Sequence, residues 1–110
     1  MISTRTVTLS NGLQMPQIGF VVFKIPPGDK TYDAVRTALS SGYRAVDAAA
    51  VYGNEADVGR AIRDSGIDPG EIFVTTKVWT SDHGYDNALR AFEETKTKLG
   101  LDTIDLYLIH

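Results

Sequence analysis

Gly42-Tyr43-Arg44-Ala45-Val46-Asp47-Ala48-Ala49-Ala50-Val51-Tyr52-Gly53-Asn54-Glu55-Ala56-Asp57-Val58-Gly59 is a complete strand-to-helix passage. Gly42 is a helix stop. Ala45 and Val46 read as a short buried strand, and Asp47 stands where that strand gives way to loop. In proteins built on parallel strands this edge carries the active site, in barrels and doubly wound sheets alike. Tyr52 follows on the loop. Asn54 is placed to cap the next helix, which runs through Val58 and Ile62.

The flanking sequence repeats the pattern. Upstream, Val7 and Leu9 alternate with Thr6 and Thr8, Leu13 and Met15 flank Gln14, and Asn11-Gly12 lies between them. This predicts a two-stranded hairpin over residues 6–16. Residues 17–22 read as the first strand of the repeat. Pro26-Pro27-Gly28-Asp29 is a turn-rich loop. A helix is predicted over 31–41, with Tyr32, Val35, Ala38 and Leu39 on one face. A strand over 44–47 and a helix over 55–64 follow, the latter turning Val58, Ala61 and Ile62 inward.

Downstream, Asp68-Pro69-Gly70 is a turn, and 72–76 is a β-branched strand ending at Lys77. A helix over 85–99 is expected to bury Tyr85, Leu89, Phe92 and Leu99. The last strand covers 104–109 and ends at His110. Strand, helix and glycine stop recur at roughly thirty-residue intervals, the length of a βαβ unit. The class is therefore α/β, a parallel (β/α) repeat. Residues 1–110 are read as one partial domain, with the hairpin at 6–16 and the repeating units at 17–110.

Composition narrows the partners. The net charge is −3 with no basic cluster, which argues against nucleic acid. There is no cysteine, so disulfides and thiolate metal sites are excluded. No apolar signal core follows Met1-Ile2-Ser3-Thr4-Arg5-Thr6, and no apolar run is long enough to span a bilayer. A cytoplasmic protein without a membrane partner is expected.

Asp47, Lys77 and His110 fall at the carboxyl ends of three successive strands. In a parallel sheet those ends share one edge, so the side chains converge, with Tyr52 on the loop above them. Taken singly, each has a plainer reading: a salt-bridge partner, a solvated lysine, a packing tyrosine, a solvated histidine.

The stretch resembles the aldo-keto reductases. Their first motif runs Gly-aromatic-Arg-x-apolar-Asp-small-small, five free positions, Glu, two free positions, apolar, Gly. Gly42 through Asp47, Ala48, Ala49, Glu55, Val58 and Gly59 fill every specified place. Asp47 and Tyr52 match two of the family's catalytic positions, and Lys77 and His110 match the other two. The likeness comes closest to the bacterial 2,5-diketo-D-gluconate reductase-like branch.

The resemblance implies the N-terminal half of a (β/α)8 TIM barrel, with the hairpin plugging its bottom. It also implies NADPH-dependent reduction of a small-molecule carbonyl, keto-sugars among the candidates. Such a reduction leaves an alkoxide that needs a proton. A free tyrosine holds its proton up to a pH of about 10, and a nearby ammonium favours the phenolate. By resemblance, Tyr52 is the general acid, Lys77 and Asp47 support it, and His110 orients the carbonyl. No metal is called for.

Phe23, Trp79 and His110 are the expected substrate contacts, and Val21, Val22 and Asp47 the near edge of the cofactor site. Glu55 is expected to stabilise its helix N-terminus, and His83 to be solvated. Two positions depart from the family pattern: Val21 replaces a glycine and is expected to crowd the cofactor, and Ala48 replaces a hydroxyl residue.

A complete barrel of this kind needs about 250 residues, so 110 residues are expected to carry the catalytic set without most of the cofactor site. No dinucleotide or phosphate-loop fingerprint compensates, and tight NADPH binding by this stretch alone is not expected. The competing reading is an inactive half-barrel that self-associates through open sheet edges or needs a C-terminal half. A βα-repeat enzyme of another class is the third.

Overall fold

The structure is a computed structural model describing residues 5–110. Residues 1–4, the start of the segment read as lacking a signal core, lie outside the described residues. β1 (Thr6–Thr8) and β2 (Gln14–Pro16) pair antiparallel with Val7 opposite Met15. The turn around Asn11-Gly12 closes through Leu9 N–H on the Leu13 carbonyl at 2.8 Å and Gly12 N–H on the Leu9 carbonyl at 2.9 Å.

The second sheet is parallel and its order follows the chain: β3 (Phe20–Val21), β4 (Ala45–Asp47), β5 (Phe73–Val78) and β6 (Leu106–Ile109). Helices α1 (Asp29–Ser40), α2 (Glu55–Asp64) and α3 (Tyr85–Leu99) connect them. Residues paired across a parallel ladder share a face, and faces alternate along each strand. Val46 and Val74 pair and turn to the helices. They form one core with Val22, Val35, Leu39, Val58, Ile62 and Leu99, all essentially inaccessible. Each such side chain contributes about 1.5–3 kcal/mol over an exposed one, so the helix layer holds the sheet. The opposite face carries Asp47, Thr75 and Lys77.

The first strand is shorter than the 17–22 expected. Among the described residues only Phe20↔Val46 and Val21↔Asp47 pair, and β3 has a neighbour on one side only. Gly19 comes so close to β4 that an added Cβ would lie 3.2 Å from that of Ala45. β5 extends past its expected end, so Lys77 is inside the strand, paired with Leu108.

The expected burial of α3 needs correction. Tyr85 is 82 % exposed and Leu89 is 53 % exposed. The buried face is Ala91, Thr95 and Leu99, spaced four apart. Phe92 is half-buried and meets the Tyr107 ring edge-on at 5.1 Å. The helix ends at Gly100, whose φ of +64° suits a residue without a Cβ.

The hairpin residues Thr6, Gln14 and Pro16 line a cavity of about 410 Å³ together with Gly42, Arg44 and Phe73. These last three lie at the amino ends of β4 and β5. The hairpin therefore sits at the end of the sheet opposite Asp47 and Lys77.

Candidate active site

β4 and β5 place Asp47 and Lys77 on one face of adjacent strands. Asp47 pairs in register with Thr75, two residues before Lys77, so the long lysine side chain reaches back to the carboxylate. Lys77 forms an ion pair with Asp47 and donates to the Ala48 carbonyl at 3.0 Å. Its third contact is the Tyr52 hydroxyl at 3.5 Å. An ammonium has three donors and no acceptor. All three of its N–H groups are thus directed, and the Tyr52 oxygen must accept from Lys77. That leaves the phenol's own proton free to point away from the lysine.

Lys77 is only 15 % exposed. A charge taken so far out of water is tolerated because it is paired and hydrogen-bonded. A short turn, Ala50–Tyr52, lifts the tyrosine onto the loop between β4 and α2. The Lys77 ammonium lies 5.2 Å from its ring centroid.

His110 follows β6 directly, and its N–H donates to the Val78 carbonyl at 3.2 Å. Its ring meets Tyr52 edge-on at 5.8 Å and Trp79 edge-on at 5.4 Å. Phe23 stands 5.3 Å from Tyr52 on the other side. Phe23, Lys24, Val51, Tyr52, Trp79 and His110 line a pocket of about 390 Å³. The four residues expected to be catalytic and the two expected aromatic contacts are therefore in one place. Lys24 and Val51 were missed by sequence reasoning. Each adjoins a singled-out aromatic, which was the available signal.

The expected cofactor edge divides. Val21 is 52 % exposed and stands beside Asp47 in register. This gives an apolar wall next to the carboxylate. Val22 corrects the expectation: its side chain is at 0 % exposure in the helix-facing core, because the next residue along a strand points to the opposite face. Its N–H donates to the Asp47 carbonyl at 3.2 Å. His83 is exposed.

One neighbour of Tyr52 also differs from expectation. Asn54 occupies the N-cap position of α2 without a capping side-chain bond; its amide is drawn instead toward the β3–α1 loop. Glu55 lies in the first turn of α2, as expected. It is buried and accepts from Thr76 Oγ1 at 2.7 Å and Thr95 Oγ1 at 3.1 Å, joining α2 to β5 and α3 beside Lys77. Behind β6, the Tyr107 hydroxyl is buried with no hydrogen-bond partner among the described residues. Its pKa is raised, first by burial and then by the negative charges of Glu55, Asp82 and Glu94.

Comparison with known proteins identifies the family. Residues 19–110 match the aldo/keto reductase family. A 9,11-endoperoxide prostaglandin H2 reductase of Trypanosoma cruzi is 52 % identical over 94 % of this chain and 37 % of its own length. A glyoxal reductase of Bacillus subtilis is 48 % identical over 96 % of this chain and 38 % of its own. A crystal structure of an aldo/keto reductase from Brucella melitensis superposes with a TM-score of 0.94 at 49 % identity. It covers 98 % of this chain and 42 % of that one. The chain thus spans little more than a third of the length of these curated relatives. Their names differ in substrate and do not single out the diketogluconate-reductase branch. The fold is that of the strand–helix units of a reductase (β/α)8 barrel, and the chain belongs to the aldo/keto reductase family.

Proposed function

We propose that this chain carries the proton-delivering corner of a carbonyl reductase that converts aldehydes or ketones to alcohols at the expense of NADPH. The observation that carries the reading is the directed ammonium of Lys77, which holds Asp47, the Ala48 carbonyl and the Tyr52 hydroxyl at the mouth of an aromatic pocket. Family membership supports a nicotinamide cofactor, and the phosphate-bearing form is part of the proposal. A reduced nicotinamide, when bound, supplies the hydride. Val21 would form the wall on which its ring rests, with Asp47 beside it.

The chain's own residues do the rest. His110, edge-on to Tyr52, donates a hydrogen bond to the carbonyl oxygen and aims it at the phenol. Tyr52 gives its proton to that oxygen as negative charge develops there. Lys77 stabilises the phenolate left behind, and Asp47 fixes Lys77 in place. Phe23 and Trp79 exclude water from the exchange. Small carbonyls, keto-sugars included, are the proposed substrates. A cytoplasmic setting, where reduced nicotinamide is available, fits this role. Residues 1–110 are then part of one barrel domain.

The test is Tyr52→Phe in the whole enzyme, with turnover followed by loss of reduced-nicotinamide absorbance. Loss of a positioned general acid lowers kcat by about 10²-fold or more. Turnover within about threefold of the parent would sink the reading.

A second observation favours association. β3 and β6 each pair on one side only among the described residues, and Ile109 is largely exposed. Such edges recruit strands. We propose that they pair with the rest of a barrel or, failing that, with a second copy of this chain.

A further inference from the structure

The loop between β3 and α1 is held in a costly shape. Val22, Phe23, Lys24 and Ile25 form a turn closed by the Ile25 N–H on the Val22 carbonyl at 3.3 Å. Lys24 sits at φ +61°, the left-handed conformation that a turn ordinarily gives to glycine or asparagine. The side chain that holds both ends of this turn comes from across the pocket. Asn54 Nδ2 donates to the Val22 carbonyl at 3.1 Å and to the Ile25 carbonyl at 3.1 Å. It also lies 3.4 Å from Thr31 Oγ1, which itself donates to the Pro26 carbonyl at 2.6 Å.

Asn54 is buried, and among the described residues its Oδ1 has no hydrogen-bond partner. A buried acceptor without a donor is destabilising, and an apolar side chain of similar size would avoid it. The residue is therefore explained by its donors. It also lies two positions after Tyr52, so one side chain ties the loop that carries Phe23 to the loop that carries Tyr52. Those two rings are 5.3 Å apart.

We propose that Asn54 is a positioning residue for substrate selection: by clamping both ends of the 22–25 turn it holds Phe23 against Tyr52, and so fixes the aromatic wall on which a bulky carbonyl substituent packs. This rests on the reductase reading, which makes Tyr52 the group that meets the carbonyl. Asn54 touches neither reactant. It acts through Phe23, and its loss leaves the Lys77–Asp47–Tyr52 contacts in place.

The experiment uses the whole enzyme with Asn54→Leu, Phe23→Ala and the double variant, assayed on propanal and on the bulkier benzaldehyde. Hydrogen exchange at the Ile25 amide is read in parallel. Asn54→Leu is expected to raise KM for benzaldehyde about tenfold, while kcat and KM for propanal stay within about twofold. It adds nothing in the Phe23→Ala background, since the two act as one unit. Exchange at Ile25 accelerates while β5 amides keep their parent rates. Adding Lys24→Gly, which adopts the turn without strain, restores benzaldehyde selectivity.

Equal losses on both aldehydes, additive effects with Phe23→Ala, or unchanged exchange at Ile25 would each overturn the proposal. An Asn54→Leu protein that does not fold is replaced by Asn54→Ala, which also loses both donors. If the parent reduces neither aldehyde, the reductase reading fails, and exchange at Ile25 alone decides the clamp.

Discussion

Gly59→Ala is a one-methyl change whose sign separates two views of the motif's last glycine. Ala is the better helix former by about 1 kcal/mol, so at an open helical position the change is stabilising. Here a Cβ on Gly59 would stand 1.9 Å from the Leu99 carbonyl oxygen, 2.5 Å from its carbon and 2.6 Å from its Cα. Ordinary contact begins at 3.4 Å, so α2 and the end of α3 must separate by about 1.5 Å. The obstacle is backbone, which cannot rotate aside. The same carbonyl accepts a hydrogen bond from Arg63, and Leu99 is fully buried between the helices. Overpacking costs about 1–3 kcal/mol, and the upper end applies where backbone must move. Against the propensity gain, a net loss of about 2 kcal/mol is expected. With a urea slope of about 1–3 kcal/mol per molar, the unfolding midpoint falls by about 1 M at an unchanged slope. A midpoint equal to or above the parent's would refute the close approach of the two helices.

Tyr107→Phe removes a buried hydroxyl that has no partner among the described residues and is expected to be neutral or stabilising by about 1 kcal/mol at neutral pH in urea unfolding. Because burial raises this phenol's pKa above its unfolded value, its contribution is complete below pH about 10 and is lost as pH rises through the folded value; the variant's stability should therefore fall less steeply above that pH. The 110-residue chain by itself is expected to associate or to be loosely folded. A concentration-independent, compact 12.0 kDa species in sedimentation would contradict this.

The repeat and its boundaries were legible wherever local signals agreed. α2 begins at Glu55 and ends at Asp64 as its periodicity requires, and α3 runs over its expected span. The site was legible for the same reason. Asp47 ends β4, Lys77 is the next-to-last residue of β5 and His110 follows β6, and strand order brings all three to one edge of the sheet. What escaped was side-chain direction set by distant partners. The inward face of α3 is Ala91 and Thr95, residues too small or too polar to register as an apolar stripe, and Thr95 is buried because Glu55 reaches it from α2. Asn54 has the composition of a cap, but carbonyls about thirty residues earlier in the chain claim its amide. Val22 has the same chemistry as Val21 and opposite exposure, a difference set by the strand's alternation.

Lys77 lies inside β5, a strand paired with β4 on one side and β6 on the other, whereas Tyr52, Phe23 and Trp79 stand on connections. The ion pair is thus indexed by ladder register, which changes only in whole-residue steps that turn every side chain to the other face. The rim has no such detents. Lengthening or reshaping the connections after β3, β4 and β5 alters what the pocket admits and leaves the charged pair where the ladder put it. A fold built this way can vary the walls of its pocket while keeping the buried charged pair intact.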